Sequence, residues 1–333
     1  MIERRQAGDA TCLRVVVVYP GNAFLRSLTD DFPAIRFDFH EAVETALADA
    51  ADCDAVISFG RFMTRDVAET LFRNPRLRWI QIGSAGTDLL DGVTPPPGVV
   101  LTRAAGILDA VVAEQALALL LALGRRLHDA VRNQTHGTWG LPRDGFECVA
   151  GKRATVLGFG GIGRAVATRL LALGAEVTGI SRNPAPLPGV TLRSVADLQA
   201  ILPDSEILLL ALPGGAATAG IIGRHEIARL PRGAMLVNVG RGASLDHAAL
   251  AEALRDGHLA GAGLDVTEPE PLPTGHALWS CPNLIVSPHV GGRDRRQPER
   301  LRALFAANIA RFLSGEELLH CFAAGGPRPT PSR

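Results

Sequence analysis

The chain has 333 residues, close to half of them apolar and a fifth charged, with 34 basic and 34 acidic side chains and a formal net charge of zero. That length exceeds what a single core usually organises and points to two domains. The charge balance argues against a nucleic-acid-binding or polybasic membrane surface as the main business.

The start, Met1 to Pro20, mixes acids with bases and holds one short apolar run, Val15–Val18, too short for a signal peptide. Leu13–Tyr19 reads as an apolar strand ended by Pro20-Gly21, and Ala55–Phe59 and Trp79–Ile82 read alike. Thr64–Phe72 between them has helical spacing. Strands separated by helices imply a parallel α/β layer. Pro95-Pro96-Pro97-Gly98 breaks the pattern, and Val99–Thr102 gives one more short strand. A long helix is expected over 109–127, capped by Asp109 and apolar on most faces, hence buried between layers or against another subunit. Its most apolar part, Ala116–Gly124, is far below the ~20 residues needed to span a bilayer. No membrane association is expected, and the cytoplasm is the expected location.

Arg132–Phe146 is polar and loop-like. A second α/β pattern then opens at Arg153–Leu157 and repeats at Glu176–Ile180, Ile207–Leu212, Ala234–Val239, Gly261–Val266 and Leu284–Ser287, six strands in all. That is the size of a full doubly wound sheet. Glu299–Phe312 reads as one amphipathic helix, and the proline-rich last seven residues as a frayed end. The five cysteines, Cys12, Cys53, Cys148, Cys281 and Cys321, include no Cys-x-x-Cys pair and read as idle thiols in a reducing compartment. No cluster has metal-ligand spacing, so no metal is expected.

Gly158-Phe159-Gly160-Gly161-Ile162-Gly163 lies between a strand, Ala154–Leu157, and a helix, Arg164–Leu173. This Gly-x-Gly-x-x-Gly in its strand–turn–helix context predicts a dinucleotide site. Gly158 permits the tight turn, Gly160 lets the pyrophosphate approach the backbone, and Gly163 lets helix and strand pack closely. The helix start offers free N–H groups to the phosphates. The next strand ends Ser181-Arg182-Asn183, with no acid for a ribose 2′-hydroxyl. Ser181 can hydrogen-bond a phosphate oxygen and Arg182 can pair with a 2′-phosphate, so NADP(H) is expected over NAD(H).

Three further segments stand at strand ends: Asn238-Val239-Gly240-Arg241-Gly242, Gly263 to Pro271 with Asp265, Glu268 and Glu270, and Ser287-Pro288-His289-Val290-Gly291-Gly292. In a doubly wound sheet such loops converge on one crevice. Reduction of a 2-keto acid needs a fixed cation for the carboxylate and carbonyl, a proton donor, and a carboxylate that keeps that donor protonated. Arg241, His289 and Glu270 supply one of each. Singly, each has an ordinary structural reading as well, and Glu268 is the local rival for Glu270.

The order and spacing of these blocks resemble the D-isomer-specific 2-hydroxyacid dehydrogenase family over nearly the whole chain. The resemblance maps the family's Arg–Glu–His set onto Arg241, Glu270 and His289, and its aspartate beside the nicotinamide onto Asp265. Gly83-Ser84-Ala85-Gly86-Thr87-Asp88 resembles the substrate-carboxylate loop, so Ser84, Ala85 and Gly86 are expected to grip the acid through backbone N–H groups. Ala113-Glu114 and Gly151-Lys152 also fit. Ala211-Leu212-Pro213 and Thr218 resemble the segment lining the cofactor, together with Val239 and Gly240, although Gly214-Gly215 departs from the usual pattern there.

The resemblance implies two doubly wound domains with parallel sheets, the cofactor domain (103–292) inserted in a substrate domain (1–102 plus 293–333). Hinges are implied near Thr102–Ala105 and Gly291–Arg293. The serine–arginine signature resembles the glyoxylate/hydroxypyruvate reductase branch, which implies NADPH-dependent reduction of a small 2-keto acid. Arg61 either meets a second polar group on the substrate or is a solvated helix-start residue. A homodimer through helix 109–127 is expected, with Trp139 either reaching the partner's cleft or packing locally. The alternatives are an NAD-dependent enzyme of other range, phosphoglycerate-like, and a nucleotide-sensing binding protein like the family's corepressor members.

Overall fold

The computed structural model describes residues 12–322 apart from Pro142 and Pro184, so the proline-rich run at the C-terminus lies outside the described residues. In chain order the elements begin β1 (Leu13–Val18), α1 (Leu28–Asp31), β2 (Ile35–His40), α2 (Val43–Ala50), β3 (Ala55–Ser58), α3 (Arg65–Leu71), β4 (Trp79–Ile82) and β5 (Val100–Arg103). They continue α4 (Asp109–Gly124), α5 (Leu127–Thr135), β6 (Arg153–Leu157), α6 (Gly161–Ala172), β7 (Glu176–Ile180), β8 (Val190–Arg193), α7 (Leu198–Ile201) and β9 (Ile207–Leu210). The last are α8 (Arg224–Arg229), β10 (Ala234–Asn238), α9 (His247–Arg255), β11 (Leu259–Leu264), β12 (Leu284–Val286) and α10 (Gln297–Ser314). Two compact units result, one running to Ile107 and resuming at Asp294, the other spanning Leu108–Arg293.

The first unit is a parallel sheet in the order β2-β1-β3-β4-β5. Side chains alternate across a strand, and both faces of β1 are covered, which is why it is a run of valines. Val15 and Val17 pack with Leu301, Phe305 and Ile309 of α10, while Val16 and Val18 pack with Ala46 of α2 and Ala68 of α3. Each of these buried valine, leucine, isoleucine and phenylalanine side chains contributes about 1.5–3 kcal/mol. Thr64, the first residue of the expected helical stretch, lies outside α3 and caps it by accepting from Val67 N–H at 3.4 Å.

The second unit is a parallel sheet in the order β12-β11-β10-β9-β6-β7-β8. It has seven strands rather than the expected six. The addition, β8, and the unforeseen β2 of the first unit are both edge strands with half-exposed side chains. Neither therefore has the apolar run that marks a central strand. α4 and α6 cover one face of the sheet, with Leu117, Leu120 and Leu123 against Val156, Val166 and Val237; α8 and α9 cover the other. Most apolar side chains of α4 are thus taken up within the unit, while Ala118 and Leu121 stay exposed.

The expected helix 109–127 is two helices. α4 stops at Gly124, where a Cβ would lie 3.0 Å from Glu147 O, and Arg126 turns the chain with a left-handed φ of 52° before α5. α5 also claims Arg132–Thr135 from the stretch expected to be a loop. Asp109 is not the cap: that position is Leu108, without a side-chain bond, and Asp109 is the acidic residue of the first turn. Among the described residues, no helix is long and apolar enough to cross a membrane.

Candidate active site

The chain lays down β6, β7 and β8 outward in one direction, then returns so that β9 pairs with the other side of β6. Ligands of open α/β sheets bind at such a switch point, beyond the carboxyl ends of the strands. The Gly158–Gly163 loop leaves β6 there. Gly158 has φ of 100°, and a Cβ on it would lie 2.5 Å from Ala211 O at the end of β9. A Cβ on Gly163 would overlap Gly158 O, and one on Gly161 would overlap the Asp109 carboxylate. Gly160 differs, because a Cβ there would meet nothing within 4 Å. The first bond of α6 is Arg164 N–H to Gly160 O, 2.9 Å, so the N–H groups before it lie ahead of the helical ladder. Three crowded glycines and one left open beside a helix start fit a dinucleotide pyrophosphate.

The other expected cofactor residues divide into two kinds. The side chain of Phe159 is buried, its ring 2.5 Å from where a Cβ of Gly179 would stand, so Phe159 offers a ligand only its main chain. Ile162 packs half-buried on the α4–α6 core, and Leu212 belongs to the core of the opposite face. Thr218 donates its hydroxyl to Pro213 O at 2.7 Å and so closes the 213–218 loop on itself. Val239 is buried, and a Cβ on Gly240 would lie 2.6 Å from Leu212 O. Ser181 and Arg182 follow β7; the Ser181 hydroxyl accepts from Asn183 N–H at 3.2 Å. Arg182 is exposed, with no ion-pair partner among the described residues.

β10, β11 and β12 are consecutive parallel neighbours, so the loops bearing Arg241, Glu270 and His289 leave one edge of the sheet. Asn238, wholly buried at the end of β10, accepts from Gly240 N–H and donates to Arg241 O, both at 3.0 Å. Ser244 donates to the same carbonyl at 2.7 Å. These bonds fix the Arg241 backbone, and the guanidinium Nη1 donates to Gly240 O at 2.8 Å. A Cβ on Gly242 would overlap Thr267, so this loop packs directly on the one that leads to Glu270. Buried His247 joins them as well, its Nδ1 3.1 Å from Glu268 O.

His289 and Glu270 meet: Nδ1 lies 2.7 Å from Oε1, and both side chains are partly exposed. Among the described residues, His289 Nε2 has no hydrogen-bond partner. His289 adopts φ of 51°, a left-handed conformation uncommon outside glycine, and its N–H donates to Asp265 O at 2.8 Å. The buried Asp265 carboxylate accepts from the Ser287 hydroxyl at 2.6 Å, from Val290 N–H at 3.1 Å and from Gly291 N–H at 2.8 Å. Gln115 of α4 donates to Ser287 Oγ at 2.9 Å. Of the residues that support this pair, Asn238 and Ser287 stood inside the motif blocks, whereas Gln115, Ser244 and His247 carried no local signal.

In the first unit, the 84–86 loop follows β4 and packs over Gly60, where a Cβ would overlap the Ser84 hydroxyl. The Ser84 hydroxyl donates to Gly86 O at 2.7 Å, Arg103 donates to Ala85 O at 3.1 Å, and Ala104 N–H donates to Ser84 O at 3.0 Å. The loop's carbonyls are therefore engaged, while among the described residues the N–H groups of Ser84, Ala85 and Gly86 have no partner. Beneath it, the ring of Tyr19 lies 2.6 Å from where a Cβ of Gly83 would stand, and burial pushes its phenol up to about 12. Arg61 is exposed on a short 3-10 turn, Gly60–Phe62.

Residues 117–291 match the D-isomer specific 2-hydroxyacid dehydrogenase, NAD binding domain. Glyoxylate/hydroxypyruvate reductase B of Pectobacterium atrosepticum is 33% identical over 88% of this chain and 89% of its own. Glyoxylate reductase of Aeropyrum pernix is 33% identical over 82% and 84%. Among solved structures, the D-isomer specific 2-hydroxyacid dehydrogenase of Xanthobacter autotrophicus in complex with NADPH and MES is 30% identical, with a TM-score of 0.80 over 94% of this chain and 99% of that one. The NADPH-dependent glyoxylate/hydroxypyruvate reductase of Sinorhizobium meliloti in complex with NADP and malonate is 27% identical, with a TM-score of 0.78 over 97% and 100%. The chain belongs to the D-isomer-specific 2-hydroxyacid dehydrogenase family of NAD(P)-dependent oxidoreductases.

Proposed function

We propose that the protein reduces a small 2-keto acid of the glyoxylate or hydroxypyruvate kind to the D-2-hydroxy acid, with NADPH preferred to NADH. The observation that carries this reading is the His289–Glu270 pair, 2.7 Å apart on the same sheet edge as Arg241. A nicotinamide bound beyond that edge supplies the hydride. With Nδ1 held by Glu270, Nε2 is the nitrogen of His289 left to give a proton to the nascent hydroxyl oxygen. Arg241 draws the substrate carboxylate and polarises the carbonyl. Among the described residues the N–H groups of Ser84, Ala85 and Gly86 have no partner, and they suit the carboxylate of an acid. Asp265 acts by holding the His289 turn.

The NADPH preference rests on Ser181 and on the exposed Arg182 with no acid beside them; an aspartate there would repel a 2′-phosphate. The reading also takes the protein to be a homodimer, because Leu121, Leu127, Val131 and Trp139 expose apolar surface on and after α4; light scattering at twice the chain mass tests this.

The deciding experiment follows NADPH and NADH oxidation with glyoxylate, hydroxypyruvate, pyruvate and longer 2-keto acids, with chiral analysis of the product. Turnover of a small 2-keto acid to the D-product, with higher kcat/KM for NADPH, is the expected result. Preference for NADH would overturn the cofactor assignment. Nucleotide binding without turnover of any 2-keto acid would favour a nucleotide-sensing protein.

A further inference from the structure

Arg164 is the first residue of α6 whose N–H enters the helical ladder, and its half-exposed side chain folds back along the surface onto the protein. Its Nη1 donates to two successive carbonyls of the loop after β7, Ala185 O at 2.7 Å and Pro186 O at 3.1 Å. The guanidinium carbon stands 5.8 Å from the centre of the Phe159 ring, a cation–π distance. That ring is itself packed on Gly179 of β7. One side chain therefore ties the loop that reads the ribose to the helix whose start faces the phosphates. Carbonyls bound to a cation are also carbonyls turned away from an incoming anion, which would otherwise meet their negative ends.

We infer that Arg164 is a positioning residue for the 2′-phosphate of the cofactor: it holds the 181–186 loop against α6 so that Ser181 and Arg182 stand ready before the ligand arrives. The inference rests on the NADPH reading above. Preorganisation of this kind strengthens binding by sparing the ligand the cost of ordering the loop. It selects for a phosphate at the ribose and leaves the pyrophosphate contacts of the glycine loop alone.

The test uses two ligands without a nicotinamide, 2′-phospho-ADP-ribose and ADP-ribose, titrated calorimetrically into the wild type, Arg164→Ala and Arg164→Lys. In Arg164→Ala, affinity for 2′-phospho-ADP-ribose falls about tenfold while ADP-ribose binding changes by less than about twofold. Arg164→Lys, which keeps a donor within reach of the carbonyls, recovers part of the loss. Deuterium uptake across 181–187 in the ligand-free protein rises in Arg164→Ala. Equal weakening of both ligands would overturn the inference, since it would mean a general role in the helix start. Lost selectivity with unchanged deuterium uptake would overturn it too, by making Arg164 a direct phosphate contact. A wild type that binds both ligands alike would overturn the NADPH reading itself; a selective wild type with an equally selective Arg164→Ala variant would overturn this inference alone.

Discussion

The Ser287 hydroxyl donates a 2.6 Å hydrogen bond to Asp265 Oδ1, and the turn that bears His289 hangs from that carboxylate. Asp265 accepts from this hydroxyl and from the N–H groups of Val290 and Gly291, while its carbonyl accepts from His289 N–H. Removing the carboxylate leaves the buried Gly291 N–H without an acceptor, at about 1–3 kcal/mol, and the part-buried Val290 N–H and Ser287 hydroxyl at less. Asp265→Ala is expected to lose on the order of 3 kcal/mol of stability in urea unfolding. Ser287→Ala, which leaves both N–H bonds in place, is expected to lose only about 1 kcal/mol. In both, kcat should fall more than the KM for the 2-keto acid rises, because a displaced His289 harms proton transfer before it harms binding.

His289 supplies the proton in the proposed reaction, so His289→Gln is expected to lower kcat by a factor of about 10²–10⁴. The side chain is partly exposed and, among the described residues, bonded to Glu270 alone, so thermal unfolding should be little changed. Steady-state kinetics of both proteins with NADPH and glyoxylate check the fall in kcat; near-normal kcat in His289→Gln would move the proton donor elsewhere.

Much of this arrangement was legible along the chain, for identifiable reasons. β6 and β7 are bounded as expected at Arg153–Leu157 and Glu176–Ile180, because each is a short, mostly buried run with β-branched residues between turn residues. β9 ends at Leu210 rather than at the Leu212 expected from the sequence, since the residues just beyond it are equally apolar. β2 and β8 escaped because their outer faces meet water. The break between α4 and α5 depends on Arg126 taking a left-handed conformation and on Gly124 meeting Glu147, neither of which has a periodicity to betray it. At the site, Glu270 and His289 were legible from their spacing. The fastening of Asp265 to Ser287 and of His247 to Glu268 was not, because those partners are distant in sequence and adjacent only once the strands are paired.

The glycines of the phosphate loop separate folding from binding. A methyl on Gly163 would overlap Gly158 O, a backbone atom that cannot swing aside, so Gly163→Ala is expected to cost about 1–3 kcal/mol as overpacking. Gly160 has φ of −83° and open space around the Cβ position, so Gly160→Ala should fold with an unchanged melting temperature. The same methyl would stand where a pyrophosphate must approach. Calorimetric titration with ADP-ribose should therefore show a large loss of affinity in Gly160→Ala, set against a destabilised Gly163→Ala. Normal binding by Gly160→Ala would remove the pyrophosphate from this loop.

His247 gives the junction of the Arg241 and Glu270 loops a pH dependence that belongs to stability, separate from the chemistry of His289. Burial pushes its imidazole below the usual range; the Glu268 carbonyl opposes this through its hydrogen bond, the charge of His276 adds to it, and Asp246 and Glu268 oppose it. The Nε2 atom is buried without a partner among the described residues, so a proton placed there would be a charge without an acceptor. In the unfolded chain the group titrates near its ordinary value, about 6.5. Between that value and the lower folded one, the unfolded state binds a proton that the native state refuses. Stability is therefore lost as pH falls through about 6.5, and the loss levels off below the folded value. His247→Asn keeps an amide donor near the place of Nδ1 and cannot take up the proton. Urea unfolding of both proteins at about pH 7.5 and about pH 5.5 should show a smaller loss in the variant. An identical loss in both would mean that other groups carry the acid sensitivity and that His247 takes up its proton as readily in the native state as in the unfolded one.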